Sequence, residues 1–148
     1  MHKVFYASGF LYHSPTQQIL LHQQRQAKNT STFWQMFGEV RYKEEPIEAV
    51  FQEILYTFLK VKIPLKDIYL VYDYFHSTLH KTHYVFFAKV TEMPRLRLLQ
   101  KDTISWFTFK QTLKLSVPEQ TKQDLVVAQR VINAIDREVA LSIATQQP

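Results

Sequence analysis

Residues 33–62, FWQMFGEVRYKEEPIEAVFQEILYTFLKVK, decide how this chain is read. A short apolar run enters a turn holding Gly38, one of only two glycines in 148 residues. After a polar stretch, Ile47, Val50, Phe51, Ile54, Phe58 and Val61 recur three and four residues apart. That spacing places them on one face of a helix. Pro46 suits the first turn of such a helix, where a missing N–H costs nothing, and Pro64 stops its continuation. A lone glycine in a glycine-poor chain predicts a positive φ or a close backbone approach. The segment therefore reads as strand, turn and core-packing helix.

The flanks read as elements that support and cover it. Lys3–Tyr12 is a predicted strand, Ser14-Pro15 a turn, and Gln18–Gln23 a second strand in hairpin register with the first. Gln24–Thr32 is polar and aperiodic, hence a loop, and Phe33–Phe37 is a short strand. Downstream, Ile68–Phe75 is a strand and His76–Lys81 its turn. In Thr82–Val90, Tyr84, Phe86 and Ala88 alternate with His83, Val85 and Phe87, so both faces are covered. Ile104–Thr108 is a short strand, and Leu113–Ser116 a turn or short helix. Pro118 to Ile143 is a long helix with a stripe of Leu125, Ala128, Val131, Ile132, Ile135 and Val139. Strands, helix, strands and helix within one short chain predict a single α/β layered domain, residues 1–148, with a mixed sheet between helices.

Composition bounds the rest. The chain is 46% hydrophobic and 14% aromatic, which suits a packed domain and excludes a disordered one. It has no cysteine, so disulfide and thiol chemistry are absent. No apolar run approaches the roughly 20 residues of a membrane span, and the apolar run Val4–Tyr12 reads better as a strand than as a leader, so the expectation is a cytoplasmic protein with no membrane partner. The net charge of +5 favours anionic partners. The basic residues are scattered, however, which argues against nucleic acid.

The spacing Gly38, five residues, Glu44, seven residues, Gln52-Glu53-Ile54 resembles the Nudix box of the MutT-like hydrolases. Gly38, Glu44, Ala49, Glu53 and Ile54 match its pattern, and Trp34 is similar to the aromatic that often precedes its glycine turn. The resemblance implies an α/β/α sandwich with a mixed central sheet. It also implies a nucleoside diphosphate-linked ligand, Mg2+ or Mn2+ held by Glu53 and Glu44, hydrolysis of a phosphoanhydride, and room for a homodimer. Departures accompany the matches: Gln52 stands at the box arginine, Tyr56 and Thr57 at its last two glutamates, and Leu59 at its final glycine. The often acidic loop position is Arg41. Magnesium is held by oxygen ligands, carboxylates foremost. A phenol and a hydroxyl carry no charge near neutral pH. The expectation is weak metal binding and impaired or absent hydrolysis.

Other patterns add less. His76, His80 and His83 are spaced H-x3-H-x2-H but straddle a predicted hairpin, with no evident fourth ligand for zinc. No nucleophile motif is present, and no serine has a histidine or aspartate partner by motif. Trp34, Tyr74, Phe75 and Trp106 suit either a stacked base or the core. Arg41 and Lys43 in the box loop, with Lys60 and Lys62 after the helix, are cations able to take phosphate directly. Gly38 and Trp34 complete the candidate phosphate- and substrate-binding set. Three functions stay open: a Nudix-like hydrolase using Glu53 and Glu44, a catalytically silent nucleotide-binding module, and a partner-binding domain.

Overall fold

A computed structural model describes residues 4–23, 33–42, 46–96 and 103–146. The predicted loop Gln24–Thr32 lies outside them. Strand β1 (Phe5–His13) runs parallel to β6 (Lys81–Val90) along its whole length, from Phe5↔Thr82 to His13↔Val90. On its other side β1 has two successive partners. Leu11–His13 pair with β2 (Gln18–Gln23), as the hairpin predicts. Phe5–Gly9 pair instead with β4 (Phe37–Arg41). Strand β3 (Trp34–Gln35) pairs with the far end of β2.

The predicted strand Phe33–Phe37 is thus two pieces that change partner at Met36. Its carbonyl accepts a hydrogen bond from His22 Nε2 at 3.1 Å, and the His22 ring stacks on Phe37 at 4.6 Å. Strand β5 (Ile68–His76) lies antiparallel to β6 with a register shift between Leu70 and Tyr72, and β7 (Thr103–Thr108) borders β2. The sheet is mixed, as expected.

Two apolar layers cover the sheet, because side chains alternate along each strand. Phe5, Ala7, Leu11, Leu20, Phe37, Phe86 and Ala88 pack on helix α1 (Ile47–Leu59). Phe10, Tyr12, Ile19, Leu21, Val85 and Phe87 pack toward α3 (Glu119–Gln146), which follows the one-turn α2 (Phe109–Thr112). Strand β6 serves both layers, as its alternation predicts.

Helix α1 buries Val50, Phe51, Ile54, Leu55 and Leu59. At about 2 kcal/mol per fully buried large side chain, this face contributes roughly 10 kcal/mol before entropy is subtracted. The Phe51 ring stacks on Phe86 at 5.2 Å across Gly9. A Cβ on Gly9 would lie 2.2 Å from the Phe86 carbonyl oxygen and 2.7 Å from Phe51 Cζ, so only glycine admits the helix this close.

Several boundaries differ from the sequence reading. Pro46 caps α1 from outside, its carbonyl accepting from Ala49 N–H at 2.9 Å. The helix ends at Lys60, in the left-handed region at φ 57°, so Val61 lies beyond it and Pro64 is not the stop. The short helix predicted near Leu113 lies earlier, capped by the reciprocal Thr108–Gln111 pair. On α3, Leu125, Ala128 and Ile132 are buried, but Val139 is 47% exposed. At about 1.5 Å per residue the helix is longer than the face it covers, and its last turns pass the core.

Candidate functional site

The polar edge of α1 carries Glu53, Tyr56 and Thr57, neighbours on a helix at i, i+3 and i+4. They line a cavity of about 560 Å3 together with Arg41, Gln52 and Lys62. Strand alternation aims Glu39 and Arg41 at the same side as Phe37, toward the helix. There the Arg41 guanidinium spans two carboxylates. Its Nε and NH2 meet Glu39 Oε2 at 3.0 and 2.8 Å, and its NH1 donates to Glu53 Oε2 at 3.1 Å. The Arg41 side chain is only 17% exposed.

Guanidinium keeps its charge at every accessible pH and suits such a forked contact. Gln52 donates to the Ile63 carbonyl at 2.8 Å and so holds the chain after the helix. The Lys60 ammonium sits 5.3 Å from the centre of the Tyr56 ring.

Among the described residues the cavity lining offers one carboxylate, Glu53, beside the uncharged Gln52, Tyr56 and Thr57, a sparse donor set for a divalent cation. Among the described residues no three metal-ligating side chains converge. Glu53 in the lining and Glu39 behind it both face the Arg41 guanidinium. Glu44 and Lys43 lie outside the described residues. The structure therefore brings together Arg41, Glu53 and Lys62 of the sequence candidates, and adds Glu39.

Gly38 lies within β4, paired with Ser8, not in the expected turn, and has no positive φ; of the two expectations for its backbone, the close approach holds. A Cβ there would lie 2.5 Å from the Tyr6 hydroxyl and 2.7 Å from Ser8 Cβ. Trp34 is not at this cavity. It packs edge-on against Phe107 at 4.9 Å in the α3-side core, and its backbone N–H donates to the Ser116 carbonyl at 2.9 Å.

The opposite face of the sheet holds a second polar cluster, which no motif announces. A cleft of about 270 Å3 opens between the sheet and the start of α3, with Tyr6, Ser8, Gln35, His83 and Asp124 in its lining. Ser8 Oγ lies 2.6 Å from His83 Nε2, and His83 Nδ1 lies 2.6 Å from the Tyr74 hydroxyl. The Tyr74 hydroxyl donates to Asp124 Oδ2 at 3.2 Å, and the Tyr72 hydroxyl to Oδ1 at 2.6 Å.

Burial, aided by nearby His76, holds the His83 pKa down at about 4, so its ring is neutral at pH 7. Burial pushes the Asp124 carboxyl up, against the Tyr72, Gln120 and Tyr74 hydrogen bonds that pull it down. Burial and the Asp124 carboxylate raise both tyrosines, which stay protonated. His83 thus lies inside this cluster, and the three-histidine spacing gathers no metal set among the described residues.

Sequence reasoning left Ser8 without a partner because that partner is 75 residues away. The available signal was a polar residue at a core position. Ser8 and His83 interrupt apolar strands, and Asp124 sits one turn before Ala128 on the buried stripe of α3.

An α/β/α sandwich with a cavity at the polar edge of its first helix narrows the fold class. Solved structures show which. A MutT chain from work on the Aliivibrio salmonicida and Vibrio cholerae proteins superposes with a TM-score of 0.65 at 14% identity, covering 85% of this chain and 98% of that one. The E. coli ORF135 protein gives 0.68 at 14% identity, covering 90% and 94%. A MutT/Nudix family protein from Enterococcus faecalis gives 0.55 at 17% identity, covering 72% of this chain and 44% of that one. The fold is Nudix-like. No family model matches the chain, and no curated protein matches it. The likeness is one of fold.

Proposed function

We propose that this Nudix-like chain binds a nucleoside diphosphate-linked ligand in the α1 cavity, gripping its phosphates with Arg41 and Lys62, and that metal-dependent pyrophosphate hydrolysis is impaired. One observation carries the reading: the Arg41 guanidinium lies 2.8–3.1 Å from the carboxylates of Glu39 and Glu53. A positive group there opposes a divalent cation at the same carboxylates. Guanidinium has five N–H donors. Three meet the two glutamates, which leaves two for phosphate oxygens. Lys62 adds a second cation at the wall of the cavity. Glu53 and, from the sequence alone, Lys43 and Glu44 complete the candidate set.

The test is calorimetry with ADP and ADP-ribose in EDTA. Binding that is lost in Arg41→Ala/Lys62→Ala supports direct capture; equal binding by that variant removes it. Brisk magnesium-dependent turnover of a nucleotide panel, abolished by Glu53→Gln, would show a working hydrolase instead.

A further inference from the structure

The outer face of α3 carries two arginines on one line. Arg130 and Arg137 are seven residues apart, two turns of one face, so their Cα atoms lie about 10 Å from each other. Asn133 sits between them and Ala140 past them. The turn joining β1 to β2, residues 14–17, comes up beside this face with Gln17, which is in the left-handed region at φ 54°. Gln17, Arg130, Asn133, Asp136, Arg137 and Ala140 line a groove of about 550 Å3, nearly as large as the α1 cavity and sharing no residue with it. Among the described residues no side-chain hydrogen bond or ion pair engages Arg130, Asn133, Asp136 or Arg137, whereas Arg41 is held by two carboxylates.

We propose that this groove is a second small-molecule site for a hydroxyl-rich anion of the sugar-phosphate class, with Arg130 and Arg137 on the phosphate and Asp136, Asn133 and Gln17 on the hydroxyls. A guanidinium meets phosphate through paired N–H donors. Two of them against one carboxylate leave the groove positive. Asp136 then sets a condition. A carboxylate only accepts hydrogen bonds and repels a bare phosphate, so the ligand must turn donors toward it. Sugar hydroxyls do so. The Asn133 and Gln17 amides each offer a donor and an acceptor, which matches a hydroxyl, itself both. No aromatic ring and no apolar side chain larger than that of Ala140 lines the groove, so a base has nothing to stack on. The volume is ample for a phosphorylated pentose or hexose.

The inference goes beyond the α1 reading, and variants tell the two sites apart. Calorimetry of the full chain in EDTA compares ribose 5-phosphate and glucose 6-phosphate with the free sugars, inorganic phosphate and O-phosphoserine, which offers Asp136 an ammonium instead of hydroxyls. At least one sugar phosphate should bind ten-fold or more tighter than each of the other probes. Arg130→Gln/Arg137→Gln changes two exposed side chains, keeps the wild-type melting temperature, and should weaken that binding ten-fold or more. Arg41→Ala/Lys62→Ala should leave it unchanged. In Asp136→Asn the preference for the sugar phosphate over inorganic phosphate should fall toward one. No binding of either sugar phosphate, equal binding of inorganic phosphate, tighter binding of O-phosphoserine, an undiminished preference in Asp136→Asn, or binding lost with Arg41 and Lys62 rather than with Arg130 and Arg137 would overturn the proposal. ADP binding reads the α1 cavity separately, so the failure of either site leaves the other standing.

Discussion

Acid should unfold this protein through His83. Folded His83 holds its proton only below about pH 4, whereas an unperturbed histidine does so below 6.5. Between those values the unfolded chain binds the proton and the folded chain does not, so stability falls as the pH is lowered through that window. The gap corresponds to roughly 2 kcal/mol lost by pH 5 and roughly 3 kcal/mol by pH 4. The groups facing the ring are Tyr6, Ser8, Tyr74 and His76, with Asp124 one hydrogen bond further on and Tyr72 beyond it. Asp124 acts with opposite sign. Its raised carboxyl costs stability as the pH rises above the usual aspartate range, and that cost fades in acid. A His83→Gln variant separates the two. Urea unfolding of both proteins at pH 7.0, 6.0, 5.0 and 4.5 should show the wild type losing its advantage over the variant below pH 6.5. A difference between them that stays constant to within about 0.5 kcal/mol over this range would refute the claim that folding holds His83 neutral.

Removing the carboxylate itself should cost more at neutral pH. Asp124→Ala leaves two tyrosine hydroxyls without their acceptor and should destabilise by about 3–5 kcal/mol in chemical denaturation. Gly9→Ala forces a methyl group into a backbone carbonyl and the Phe51 ring, and thermal unfolding should show a loss above about 2 kcal/mol. Arg41→Gln costs only about 1 kcal/mol of stability, since its ion pairs are part-exposed. The same change frees Glu39 and Glu53 from the guanidinium, so calorimetry should find tighter Mn2+ binding than in the wild type.

Much of the fold was legible because side-chain period is a local property. The spacing of Val50, Phe51 and Ile54 located α1 and its buried face. The alternation along Thr82–Val90 announced a strand covered on both sides, and the structure places it between the two cores. Gly38 announced a tight approach, realised against Tyr6 and Ser8. The end of α1 was misplaced because Pro64 signals a stop, while Lys60, which adopts the left-handed conformation that ends the helix, carries no such signal. Leu55 and Leu59, buried on α1, fell outside the stripe read from the sequence.

The sequence by itself determined the layered α/β architecture, the core-facing stripe of α1, and the presence of Tyr56 and Thr57 beside Glu53 on the polar edge of that helix. Only the tertiary structure decided which strands meet. It split residues 34–41 between two partners, brought Arg41 onto Glu53, and joined Ser8 to His83 and, through Tyr74, to Asp124. The reason is physical: period and propensity act within a few residues, whereas an ion pair or a hydrogen-bond chain depends on which distant backbones the sheet lays side by side.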